Sequence, residues 1–114
     1  MTHYLISFPS SAMSHLSGKD LSLVGEAARA VIREAKAAGV YVFGGGIDEN
    51  VPPVMVTGEG NVSPGTYPET SQFNGGFCVL KVRTREEAVA WAARIAAGCR
   101  CAQELRQFMY DPES

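Results

Sequence analysis

The stretch Phe77-Cys78-Val79-Leu80-Lys81-Val82 constrains the chain most, because it is apolar on both sides of a strand. Side chains alternate between the two faces of a pleated strand. Phe77 and Val79 therefore share one face, while Cys78, Leu80 and Val82 share the other. Val40-Tyr41-Val42-Phe43 repeats the pattern, with Val40 and Val42 opposing Tyr41 and Phe43. An antiparallel sheet with one wet face alternates apolar with polar residues, and these strands do not. Both faces of their sheet call for cover.

The remaining elements decide how much cover the chain supplies. His3-Tyr4-Leu5-Ile6-Ser7-Phe8 reads as a first strand stopped by Pro9, and Ser10 to Lys19 as a loop. A helix is expected from about Asp20 to Ala38, since Leu21, Val24, Ala28, Val31, Ala35 and Ala38 recur on one helical face. Gly39 follows as its cap. Gly44-Gly45-Gly46 ends the second strand and leaves room for backbone or ligand to approach. Asp48-Glu49-Asn50 reads as a turn, and Pro53 to Thr57 as a short edge strand. Thr84-Arg85-Glu86-Glu87 is a capping box opening a helix that carries Ala88, Trp91, Ala92, Ile95 and Cys99 on one face and closes near Gly98. A last strand covers about Ala102 to Met109.

This order predicts one α+β domain spanning residues 1–114, a ferredoxin-like sandwich with two helices on one face of an antiparallel sheet. Two helices cover one face only. An exposed apolar sheet is unusual on a monomer, and a second copy related by a two-fold axis is the simplest cover. The expectation is a homodimer through the sheet face, enclosing a partly apolar cavity.

Charge and cysteine usage narrow the partners. A net charge of -2, with basic residues interleaved among acids, offers no footprint for nucleic acid. No apolar run approaches a membrane span, and the N-terminal stretch lacks the basic region of a signal peptide. The odd count of Cys78, Cys99 and Cys101 suits free thiols, and a cytoplasmic location is expected.

"EAKAAGVYVFGGGID", "GTYPET", "NGGFCVLKV" and "TREEAVAWAARIAAGCRCAQELRQFMYD", in that order, resemble the YCII-related family in its DGPF-domain branch, over nearly the whole chain. The resemblance implies a dimeric α+β barrel. It also implies that "PGTYPETSQFNGGF", residues 64–77, is the family's signature loop rather than a connector. The family's Asp-Gly-Pro-Phe falls on Pro64, Gly65, Thr66 and Tyr67, followed by Pro68-Glu69-Thr70 and Gly75-Gly76-Phe77. Pro64 stands where the motif has its aspartate, and Thr66 where it has proline. Relatives associated with acid–base chemistry carry a histidine on the first helix, where this chain has Ala28 and Arg29.

Candidate chemistry collects around that loop. Glu69 and Asp48 are the acids expected near the cavity mouth, where a desolvated carboxylate could act as general base. The alternatives are a turn cap or Arg partner for Glu69 and a solvated loop acid for Asp48. Tyr67, Tyr41, Thr70, Gly45, Gly46 and Phe77 are the expected ligand contacts, Tyr41 being equally well explained by sheet packing. His3 is a candidate base if it faces the cavity, or else a half-buried strand histidine; His15 lies in a loop. The histidines and cysteines give no metal-ligand spacing, and no cofactor is implied. Arg100 between Cys99 and Cys101 could lower a thiol pKa, against the plainer reading of buried apolar cysteines. The triple glycine lacks the spacing and following helix of a dinucleotide fingerprint.

Two functions remain. One is a dimeric module that binds a small molecule, or a protein partner, in a regulatory role. The other is a cofactor-independent isomerase, lyase or hydrolase acting on a small aromatic or carbonyl compound. The missing motif aspartate and helix histidine favour the first.

Overall fold

A computed structural model describes residues 1–114. The strands are β1 (Thr2–Phe8), β2 (Tyr41–Gly46), β3 (Val54–Val56), β4 (Val62–Pro64), β5 (Gly76–Val82) and β6 (Glu104–Gln107). The helices are α1 (Gly18–Ala37) and α2 (Arg85–Cys99), with single 3-10 turns at Ser10–Met13 and Pro68–Thr70. Four strands form one sheet in the order β2-β5-β1-β6, every neighbouring pair antiparallel. Both helices pack on one face and the sheet stays open, without closing into a barrel within one chain. This is the ferredoxin-like α+β arrangement expected from the order of elements.

The core lies between that face and the helices. Tyr4 and Ile6 of β1 and Cys78, Leu80 and Val82 of β5 meet Val24 and Ala35 of α1 and Ala88, Ala92, Ile95 and Cys99 of α2. Gly98 proves to be a packing position rather than the end of α2, which runs to Cys99 and is capped by Arg100 in the left-handed conformation. A Cβ on Gly98 would sit 3.3 Å from the Ala27 carbonyl, so the glycine lets the two helices approach closely.

Helix α1 starts earlier than its apolar period suggests. Ser17 caps it, taking the Asp20 amide on its hydroxyl, while the Asp20 carboxylate accepts from the Ser17 amide and hydroxyl. The Ser17 bonds, and secondarily Arg100, hold the Asp20 carboxyl below its usual range. At α2 the box is offset: Thr84 Oγ1 accepts from the Glu87 amide, but the Glu87 carboxylate reaches the Arg83 amide instead.

Strand β2 brings two corrections. It does not end at Phe43 but continues through the glycines, with Gly44, Gly45 and Gly46 paired to Cys78, Phe77 and Gly76. A bulge between Tyr41 and Phe43 also breaks the parity read from sequence. Tyr41 lies opposite Leu80 on the helix side, whereas Phe43 lies opposite Val79 on the open side. Strand β6 is shorter than Ala102 to Met109, although the Phe108 amide still donates to the His3 carbonyl.

The segment between β2 and β5 stands away from the body. The expected edge strand around Val54–Val56 instead pairs with β4 in a separate two-stranded hairpin. From Ile47 to Phe73 every residue is exposed except half-buried Met55. The radius of gyration is 15.5 Å, against about 13 Å for a compact chain of this length. The root of this arm is fixed: Ile47 N donates to Gly75 O, Asn74 Oδ1 accepts from Ser10 N, and Phe73 stacks at 4.4 Å on Phe77. A Cβ on Gly75 would fall 2.0 Å from the Phe8 carbonyl oxygen, so no larger residue fits there. No helix is long and apolar enough to cross a membrane.

The open face carries Leu5, Phe43, Phe77 and Val79, with Arg106 opposite Leu5. Phe43 is 69% exposed in the single chain. The absence of apolar–polar alternation thus corresponds to a second apolar face, which Phe73 covers in part at Phe77 and which leaves Phe43 in water.

Candidate functional site

A cavity of about 510 Å³ lies on the helix side, between α1 and the β2–β5 half of the sheet. Gly44, Gly46 and Gly76 line its floor; the Phe8 ring lies over Gly76 and the Tyr41 hydroxyl over Gly44, while Gly46 is open. Ile6, Phe8, Ile32 and Ile95 give it an apolar wall. Arg29, Arg33 and Lys36 of α1 line the same cavity, at steps of four and three residues that put them on one helical stripe. No carboxylate and no imidazole belongs to the lining.

The thiols and the tyrosine hydroxyl of the cavity are held neutral, beside the three cations. Burial pushes the Cys78 and Cys99 thiols up to about 11, with Cys101 adding to the effect at Cys99. Burial and the neighbouring Cys78 raise the Tyr41 hydroxyl as well, so it stays a hydrogen-bond donor at neutral pH. Lys36 Nζ lies 5.2 Å from the centre of the Tyr41 ring. Arg29 and Arg33 share the carboxylate of Glu26, at 3.3 and 3.6 Å, outside the cavity lining.

A second groove, about 540 Å³, runs over the opposite face. His3, Val42, Val79 and Lys81 form its bed, and Phe108, Met109 and Tyr110 its wall. It belongs to the uncovered apolar face and is open to any partner of that face.

The structure distributes the residues singled out from sequence among three places. Tyr41 and Gly46 face the helix-side cavity, and Gly45 and Phe77 border it although by register they belong to the open face. His3 lines the open-face groove. Asp48, Tyr67, Glu69 and Thr70 stand on the arm and line neither. Asp48 accepts from the Asn50 amide in a local turn, and Thr70 donates its hydroxyl to the Tyr67 carbonyl. Glu69 is exposed in the first turn of the 3-10 segment.

Arg29, Arg33 and Lys36 were missed as site residues, because a basic stripe on an amphipathic helix reads as its solvated face. The signal was present in combination: three cations on one stripe and three glycines on the next strand. Arg100 does not activate the flanking thiols. Its guanidinium turns to Asp20 at 3.5 Å, and burial raises the Cys101 thiol, partly offset by a hydrogen bond from Gln103. All three cysteines are free, and no three His, Cys, Asp or Glu side chains come together as a metal site would require.

An antiparallel four-stranded sheet, two helices on one face and a glycine-floored cavity beside the first helix define a small ferredoxin-like α+β protein. The YCII-related domain matches residues 12–108, and the chain belongs to that family. No curated protein matches it significantly.

Proposed function

We propose that this YCII-related chain works as a homodimer that binds a small molecule, in the helix-side cavity rather than between the two sheets. The observation that carries the ligand reading is the cavity itself. Its volume of about 510 Å³ suits a small organic ligand, and its walls are apolar with a few polar groups at the rim. Acid–base catalysis has less support. The carboxylates and imidazole considered for it, Asp48, Glu69 and His3, lie outside this lining, and the thiols inside it are protonated at neutral pH.

The dimer is supported by surface area. The chain exposes 7791 Å², whereas a compact monomer of its mass exposes about 6,100 Å². The excess, about 1,700 Å² per chain, includes the exposed arm as well as the open face, and is twice the roughly 800 Å² that each partner loses in a standard interface. Phe43, Val79 and Phe77 on the open face, continued by Phe73 at the root of the arm, are the surface a second copy would cover. Free thiols suit a reducing compartment, which supports a cytoplasmic location.

The assembly is tested by size-exclusion chromatography with light scattering at micromolar concentration; a stable monomer refutes it. The ligand reading is tested by thermal-shift screening of a metabolite library against wild type and Gly46→Val. A Cβ at Gly46 meets nothing within 4 Å and Gly46 lines the cavity, so the variant is expected to keep the fold and lose the ligand shifts. Equal shifts in both proteins refute the site.

A further inference from the structure

We infer that the helix-side cavity takes a small organic anion, its carboxylate or phosphate held by Arg29, Arg33 and Lys36 and its apolar body by Ile6, Phe8, Ile32 and Ile95. This rests on the binding reading above and names the chemical class of its ligand.

Three cations line one opening in a chain whose net charge is -2, and no acid joins them in the lining. Seven residues separate Arg29 from Lys36, a rise of about 10 Å along the helix. The stripe therefore spans the length of a small ligand rather than one point. Glu26 is the single counter-charge, shared by two guanidiniums, and Lys36 makes no ion pair. That exposed pairing is worth at most about 1 kcal/mol. An incoming anion displaces it at small cost and gains exposed guanidinium partners, 66% and 64% in water, whose stems stand beside an apolar wall. Guanidinium groups suit a carboxylate or phosphate because their paired N–H donors match its two oxygens.

The glycines give an independent argument. Gly44 is required by the fold, since a Cβ there would lie 2.8 Å from the Phe77 carbonyl oxygen. Gly45 and Gly46 are not: each has open space around a Cβ and a backbone outside the left-handed region. Glycine inside a strand weakens it, so two unneeded glycines need another reason. Gly46, opposite Gly76 on the cavity side, keeps its end of the floor open, next to the Phe8 ring that covers Gly76. The protonated Tyr41 hydroxyl adds one neutral donor at the same wall.

The test titrates the whole protein with benzoate, benzamide, phenyl phosphate and inorganic phosphate, following the amides of Gly44, Gly45, Gly46 and Gly76 by NMR. Benzoate or phenyl phosphate is expected to shift these amides, with benzamide at least about tenfold weaker. Arg33→Gln and Lys36→Gln are each expected to weaken the anion about tenfold. Whichever of benzoate and phenyl phosphate binds more tightly identifies the anionic group. Benzamide binding as tightly as the anions, with Arg33→Gln matching wild type, overturns the anion and leaves the small-molecule site standing. Inorganic phosphate binding as tightly as phenyl phosphate overturns the role of the apolar wall. No amide shift with any of the four probes overturns both the anion and the site beneath it.

Discussion

Replacing Phe43 by glutamate puts a charge on the edge strand β2, on the face that the homodimer reading covers. Phe43 leaves 69% of its surface in water in the single chain. An aromatic side chain of roughly 200 Å² then exposes about 140 Å², worth about 3.5 kcal/mol if fully covered. If the partner covers only half of it, the loss is about 1.7 kcal/mol per protomer. A two-fold interface counts each residue twice, so the dimer loses about 3.5 kcal/mol, a roughly 400-fold rise in dissociation constant. Burying the two new carboxylates adds to that figure. The assay is a dilution series by analytical ultracentrifugation, with far-UV circular dichroism to confirm that the fold is kept. Val89→Glu, on the outer side of α2, is the control, since Val89 is exposed on a helix that faces away from the open sheet. A Phe43→Glu dissociation constant within about threefold of the Val89→Glu value would refute the covered face, whatever the wild-type assembly.

Two further outcomes bear on the fold. Gly75→Ala drives a Cβ to within 2.0 Å of the Phe8 carbonyl oxygen; it is expected to cost about 3 kcal/mol or more in urea unfolding, while Gly46→Ala, in open space, stays within about 1 kcal/mol of wild type. Burial pushes the thiols of Cys78 and Cys99 up to about 11 in the folded chain, from 9.0 for a free thiol. Between those values the unfolded chain releases protons that the folded chain keeps, so stability is full below pH 9 and falls as pH rises toward 11. Thermal melts at pH 8 and 10.5 check this: the wild-type melting temperature drops, and Cys78→Ala with Cys99→Ala flattens the drop.

What was legible in the sequence was whatever depends on period and end signals. The strands at Phe77–Val82 and His3–Phe8 and both helices are found where composition and periodicity put them. The two-sided apolarity of β5 correctly announced an uncovered face. What was hidden depends on register. The bulge at Val42 inserts one residue against β5, and only pairing with that strand reveals that Tyr41 and Phe43 part company. The hairpin arm was illegible for a related reason: Val54–Val56 and Val62–Pro64 are too short for a clear alternation, and they pair only with each other. The sequence pointed to Glu69 and Tyr67 through the motif around them, and the structure holds both on the exposed arm, in the lining of neither cavity. The cations of α1 carry no pattern that separates a cavity rim from a wet helix until the strand beneath them is known.

The bulge in β2 has a consequence for how this protein tolerates change. Because one extra residue separates Tyr41 from Phe43, the strand addresses the helix-side chamber with one aromatic ring and the outer face with the next. Substitutions at the two positions are therefore independent experiments, although the residues almost touch along the chain. Deleting Val42 would take out the extra residue and leave Tyr41 opposite Leu80 and Phe43 opposite Val79 in regular alternation, each ring on the side it already faces. The three residues Tyr41-Val42-Phe43 pair as two would, so β2 can lose Val42 without exchanging its faces.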